Sequence, residues 1–275
     1  MTKHISWFAS PARRPQASLR LFCFPYAGGG SLIYRPWAAQ LPPSVELYAA
    51  HLPGHENRLR EPPFTNLFPL VEAIAEVIPP YLDKPFAFFG HSMGAMISFE
   101  LARLLRRRNG PMPSALYVSG RPAPQIPRPE PFSYNLPEEE FKQKLLSLNG
   151  TPPEVLEHPE VMELLIPIVR ADFSVVETYE YKPEPPLDVP LVAFGGLQDA
   201  AVTKEEVEAW REQTSSTFRL WMIPGDHFFL NSAQRLLLYK LSQELTQLER
   251  QIAASNTGAR GTSMSARERP GGESR

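Results

Sequence analysis

The chain has 275 residues, a formal charge of −2, and hydrophobic and aromatic shares of 43% and 11%. That is ordinary globular composition, and the near-neutral balance gives no electrostatic case for nucleic acid as a partner. The single cysteine, Cys23, excludes an internal disulfide. No segment approaches the ~20 apolar residues of a membrane span, and the N-terminus has no apolar stretch of signal-peptide length, so a soluble cytoplasmic protein is expected.

In chain order, "LRLFCF" and "VELYA" read as short buried strands, with Cys23 as a buried structural thiol inside the first. Between them "SLIYRPWAAQL" reads as a helix. After a loop rich in turn formers, Leu67, Leu70, Val71, Ile74, Val77 and Ile78 recur at helical spacing. "PFAFFG" is a strand, and "MGAMISFELARLLRRRNG" a helix whose terminal Arg106, Arg107 and Arg108 suit the negative end of its dipole. "SALYVSG" is the next strand. Strands alternating with helices indicate a mostly parallel sheet flanked by helices.

The pattern then breaks. Residues 121–187 lie between the proline-rich "RPAPQIPRPEP" and "YKPEPPLD" and read as helical, so they form an insertion outside the sheet. The alternation resumes with "VPLVAFGG", "TKEEVEAWREQ", "STFRLWMIPG" and "SAQRLLLYKLSQELTQLE". Two core segments, 18–120 and 188–250, thus flank one helical insertion. The polar, Arg-rich tail, 251–275, is expected to be disordered.

"FFGHSMGAM" holds Gly-x-Ser-x-Gly, with Ser92 between a predicted strand and a predicted helix. A nucleophile elbow sits at that place, a strained turn that lifts a serine hydroxyl above the sheet edge. A serine needs a base, and the elbow fold orders its triad Ser, then Asp or Glu, then His. That order excludes His4, His51, His55 and His91. His158 falls in the insertion, whereas His227 follows the last predicted strand, at the sheet end where open α/β folds place their sites. Among acids, Asp188 precedes its strand and Asp172 lies in the insertion. Asp199, after "LVAF", is the preferred orienter of the imidazole, and Asp226, adjacent to His227, is the runner-up.

The run "FCFPYAGGGS" raises the question of a phosphate loop, but it lacks the lysine of a Walker motif, and Ile33 stands where a dinucleotide fingerprint needs glycine or alanine. In an elbow hydrolase this loop supplies an oxyanion donor instead. The N–H groups of Ala27 and Met93 are the expected pair. No HExxH motif or Cys/His cluster is present in the sequence, so no metal or other cofactor is expected.

"FCFPYAGGG", "LPGHENR", "GHSMGAMISFELA", "RADF", "GGLQD" and "GDHFF" occur in one order between about residues 18 and 248, and together they resemble a type II thioesterase. The resemblance implies an α/β-hydrolase fold and a helical lid at 121–187. It places Ser92, Asp199 and His227 in the triad and Ala27 and Met93 in the oxyanion hole. It further implies hydrolysis of acyl groups from the phosphopantetheine arm of a carrier protein, in the editing of polyketide or nonribosomal peptide synthetases. One departure stands in "LPGHENR", where arginine is common in place of His55. A stand-alone esterase and a catalytically idle docking protein are the competing readings. The apolar lid residues Phe141, Leu145, Leu164, Leu165 and Phe173 are expected to line or border the acyl chamber, and a monomer is expected.

Overall fold

A computed structural model describes residues 6–127, 132–148, 150 and 158–265. Seven strands form one sheet in the order β1-β3-β2-β4-β5-β6-β7. They are β1 (Phe8–Ala9), β2 (Leu19–Phe24), β3 (Val45–Ala50), β4 (Phe86–His91), β5 (Leu116–Ser119), β6 (Leu191–Gly196) and β7 (Phe218–Ile223). All pairings are parallel except that of β1 with β3. This is the α/β-hydrolase arrangement, with helices on both faces.

Strand β4 shows why the sheet sequences are continuously apolar. Phe86 and Phe88 face one core layer, with α1 (Leu67–Val77) and α2 (Met93–Arg107), while Ala87 and Phe89 face the other. Both faces are dry, so alternation in polarity disappears. The second layer is closed by Tyr34 and Trp37 and by Leu237, Leu238, Leu241, Leu245 and Leu248 of the last helix. Cys23 points into that layer and is fully buried, which pushes its thiol pKa well up.

Between β5 and β6 the described residues carry two helices and no strand: α3 (Glu138–Ser147) and α4 (Pro159–Glu177). Residues 128–131, 149 and 151–157 of the expected insertion lie outside the described residues. Phe141, Leu145, Met162, Ile166 and Val169 make a small core of their own, whereas Val175 and Val176 belong to the core of the body. The insertion is therefore rooted at the C-terminal end of α4. Its entry is tied to the same end, because the Glu177 carboxylate accepts from the Ser133 and Tyr134 N–H groups at 2.8 and 2.9 Å.

After β6 come α5 (Lys204–Glu208), α6 (Phe229–Ser232) and α7 (Gln234–Ser265). Two expectations change here. The segment after the glycine run is a 3₁₀ helix, Ser31–Ala39, with Pro36 inside it. A proline lacks the N–H that a regular α-helical ladder would use at that point. The tail expected to be disordered from Gln251 is helical as far as Ser265. Ile252 still packs on the second core layer, so the apolar contact of α7 continues past the assumed boundary, and the alanines that follow favour propagation. Residues 266–275 lie outside the described residues.

Candidate active site

The elbow is set by backbone sterics. Ser92 has φ 53° and ψ −110°, a conformation costly for a residue with a Cβ. It is held because a Cβ on Gly90 would overlap the carbonyl of Gly94, and one on Gly94 would overlap the carbonyl of Phe24. Only glycine lets β2, β4 and α2 approach this closely. The Ser92 N–H donates to Ser119 O at 2.8 Å, fixing the turn to β5. Helix α2 begins at Met93, so its first N–H groups have no partner within the helix and its positive end faces the turn.

His227 lies beyond the end of β7, and Asp199 beyond the end of the adjacent β6. Parallel pairing brings these two loops to the same edge. His227 Nδ1 is 2.8 Å from Asp199 Oδ2, and the Asp199 side chain is 1% exposed. The second carboxylate oxygen accepts from the Ala201 N–H at 2.9 Å, which locks its orientation. Asp226 is committed elsewhere, accepting from the Phe228 N–H within its own turn at 2.9 Å.

His91, which chain order excludes as a base, packs against His227. It is fully buried, with Nε2 2.9 Å from the His227 carbonyl and Nδ1 2.9 Å from Ser119 Oγ. A carbonyl only accepts, so Nε2 carries the proton and Nδ1 receives one from the serine. Burial, and then the nearby His227, hold the His91 pKa well below the ordinary histidine value, so the ring stays neutral. It buttresses the backbone of His227 from below. The spacing of "GHSMG" gives no sign of this, since the partner lies 136 residues away.

A cavity of about 940 Å³ opens at this edge, and Ser92, His227, Ala27 and Gly28 all line it. The insertion supplies the opposite wall, including Leu145, Val169 and Phe173. Phe141, Leu164 and Leu165 are not part of that wall. Phe141 is fully buried within the insertion, 5.4 Å from Phe173 between ring centroids, and Leu164 is 64% exposed. The reason is helical phase. Met162, Ile166, Val169 and Phe173 follow one another at intervals of four and three, so they share a face that positions 164 and 165 leave. Val169, missed in the sequence, lies on that face. Met93 is fully buried and does not line the cavity.

The glycine loop is held by side chains. The Gly28 N–H donates to Asp172 Oδ2 of α4 at 2.7 Å. Glu56 accepts from Ser31 Oγ at 2.5 Å and from the Leu32 N–H at 2.8 Å. Both acids belong to motifs, "RADF" and "LPGHENR", that the chemistry had left without a role.

A model of the thioesterase domain matches residues 19–244. The gramicidin S biosynthesis protein GrsT of Aneurinibacillus migulanus is 48% identical over 239 residues, covering 87% of this chain and 93% of that protein. Among solved structures, the RedJ thioesterase of the prodiginine pathway of Streptomyces coelicolor is 38% identical with a TM-score of 0.80, over 86% of this chain and 94% of that one. The type II thioesterase BorB of the borrelidin biosynthetic cluster is 34% identical with a TM-score of 0.80, over 87% and 97%. The family match spans the whole sheet and its site loops. The chain belongs to the thioesterase family, as a type II thioesterase of the α/β-hydrolase fold.

Proposed function

We propose that the protein hydrolyses acyl thioesters carried on the phosphopantetheine arm of carrier proteins, clearing misprimed or stalled acyl groups from a synthetase. The observation that carries this reading is the pairing of the Asp199–His227 hydrogen bond with Ser92 on one wall of a single cavity roofed by the insertion. Relatives from gramicidin S and borrelidin pathways support the carrier as substrate source.

Ser92 attacks the thioester carbonyl while His227 takes the hydroxyl proton. Asp199 holds Nδ1, which leaves Nε2 as the base and stabilises the imidazolium that forms. The N–H groups of Ala27 and Met93 receive the developing oxyanion, and loss of one such donor typically costs about 2.7–4 kcal/mol in the barrier. His227 returns the proton to the leaving thiolate. Water, deprotonated by the same imidazole, then attacks the acyl-serine and releases the acid.

A folded carrier cannot enter a cavity of this size, so the arm alone must pass. The insertion acts as a lid, and Leu145 and Phe173 border the acyl chamber. The test is release of several acyl groups from a loaded carrier, compared with the same acyl groups on a small soluble thioester. A disulfide designed to tether the insertion to the body should slow carrier substrates much more than soluble ones. Equal slowing would remove the gating role, and preference for small soluble esters over every loaded carrier would overturn the carrier assignment.

A further inference from the structure

The loop that carries Ala27 is reached by a carboxylate from outside the body. Asp172 sits on α4 and is 4% exposed. Its Oδ2 accepts from the Gly28 N–H at 2.7 Å and stands 2.9 Å from His55 Nε2. The Gly28 N–H shares its peptide with the Ala27 carbonyl, so anchoring it anchors the peptide plane on the C-terminal side of Ala27. Val169, one helical turn before Asp172, packs against the same loop. A Cβ on Gly28 would lie 3.3 Å from its methyl, and Gly28 has φ +78°. The position is therefore doubly reserved for glycine.

We propose that Asp172 is a positioning residue for the reaction: from the insertion it fixes the glycine loop that presents the Ala27 N–H, and His55 holds its carboxylate in place. The proposal rests on the reading of Ala27 as an oxyanion donor. It makes the oxyanion hole complete only when α4 is seated on the body. Asp172 lies one turn before Val175 and Val176, where α4 is rooted in the core of the body, so the contact ties the loop to that root.

The bonding of His55 gives its protonation state. Nδ1 is 3.0 Å from the Pro53 carbonyl and Nε2 is 2.9 Å from the Asp172 carboxylate. Both partners only accept, so both contacts are satisfied when the ring carries two protons. Burial alone would lower the His55 pKa, but the hydrogen bond and charge of Asp172, with the Pro53 carbonyl and Glu56, together more than offset it, and the net direction is upward from 6.5. The charged groups facing His55 are Asp172 from α4 and Glu56 from its own loop, and His51 Nε2 stands 3.3 Å from that Glu56 carboxylate. A raised histidine pKa means that the pair is intact below the ordinary value and is lost as pH rises through the folded value.

The experiment uses the full chain with p-nitrophenyl butyrate, a substrate that needs the serine site but no carrier. Asp172→Asn should lower kcat about tenfold, less than complete removal of a donor, with KM changed less than about twofold. In the wild type, kcat should decline on the alkaline side as His55 loses its proton. His55→Gln should lower kcat across the range, whereas His55→Arg should keep activity and abolish the alkaline decline. A folded Asp172→Asn enzyme with unchanged kcat, or with its loss confined to KM, overturns the proposal. Should that variant fail to fold, His55→Gln and His55→Arg profiles identical to wild type overturn it equally. Turnover that survives Ser92→Ala would instead bring down the serine-hydrolase reading, and the proposal with it. Normal Ser92 dependence with an unaffected Asp172→Asn enzyme refutes the positioning role alone.

Discussion

The elbow at 90–94 and the glycine loop at 27–31 meet at one site, yet they are held by different forces. The elbow is fixed by backbone against backbone: Gly90 on Gly94, and Gly94 on the carbonyl of Phe24. Its geometry is implicit in the packing of β2, β4 and α2 and persists while the sheet persists. The glycine loop is held by two carboxylates on distant segments, Asp172 and Glu56. Its geometry depends on where those segments sit. A nucleophile needs a constant position through both half-reactions. A donor to a transient charge can tolerate being assembled later, provided it is in place when the charge develops.

Substitutions at the two turns should separate these modes. The largest effect is expected for Ser92→Gly. Turnover should fall by about four orders of magnitude or more, since the proposed nucleophile is gone. Folding stability should rise by about 1 kcal/mol, because glycine relieves the strained φ of the elbow, and denaturant unfolding reads this directly. A loss of stability would show that the serine side chain, not the backbone, holds the turn. Next comes Gly94→Ala, which sets a Cβ against the backbone of β2. Unfolding stability should drop by about 3 kcal/mol or more, and no change in a neighbouring side chain should restore it. The smallest effect is expected at Gly30. The nearest atoms a Cβ there would meet belong to the flexible Glu56 side chain, from Oε1 back to Cγ, and Gly30 has φ −133°, which any residue adopts. Gly30→Ala should cost about 1 kcal/mol, and a double-mutant cycle with Glu56→Ala should show coupling of comparable size. Strict additivity would mean that the new Cβ does not displace Glu56.

The place of both turns is legible in the sequence, and what holds the glycine loop is not. Gly-x-Ser-x-Gly between a strand and a helix is a local pattern, and local sterics fix it. Asp199 and His227 followed from chain order and strand ends, which parallel pairing of β6 and β7 turns into spatial proximity. The strands were visible because both faces of β4 are dry. The His55–Asp172 contact joins residues 117 positions apart, across the body and the insertion, and no periodicity reports such a pair. "LPGHENR" and "RADF" could be seen as motifs without showing that they touch. Phe141, Leu164 and Leu165 illustrate a different limit. The apolar character of the insertion was plain, but which face met the cavity depended on the phase of α4, set by its packing on the body. The 3₁₀ form of Ser31–Ala39 has a local sign in Pro36, which lacks the N–H of a regular α-helical ladder.

Cys23 lies in the middle of β2 at 0% exposure, on a strand hydrogen-bonded on both sides. Its thiol is shielded from reagents and disfavoured as a thiolate, so it reacts only through an opening that dissolves the centre of the sheet. The chain therefore carries its own clock for global unfolding, read by the rate at which a thiol reagent is consumed. A cysteine introduced anywhere on the surface would be the sole fast-reacting handle, available for a spectroscopic label without first removing the native one.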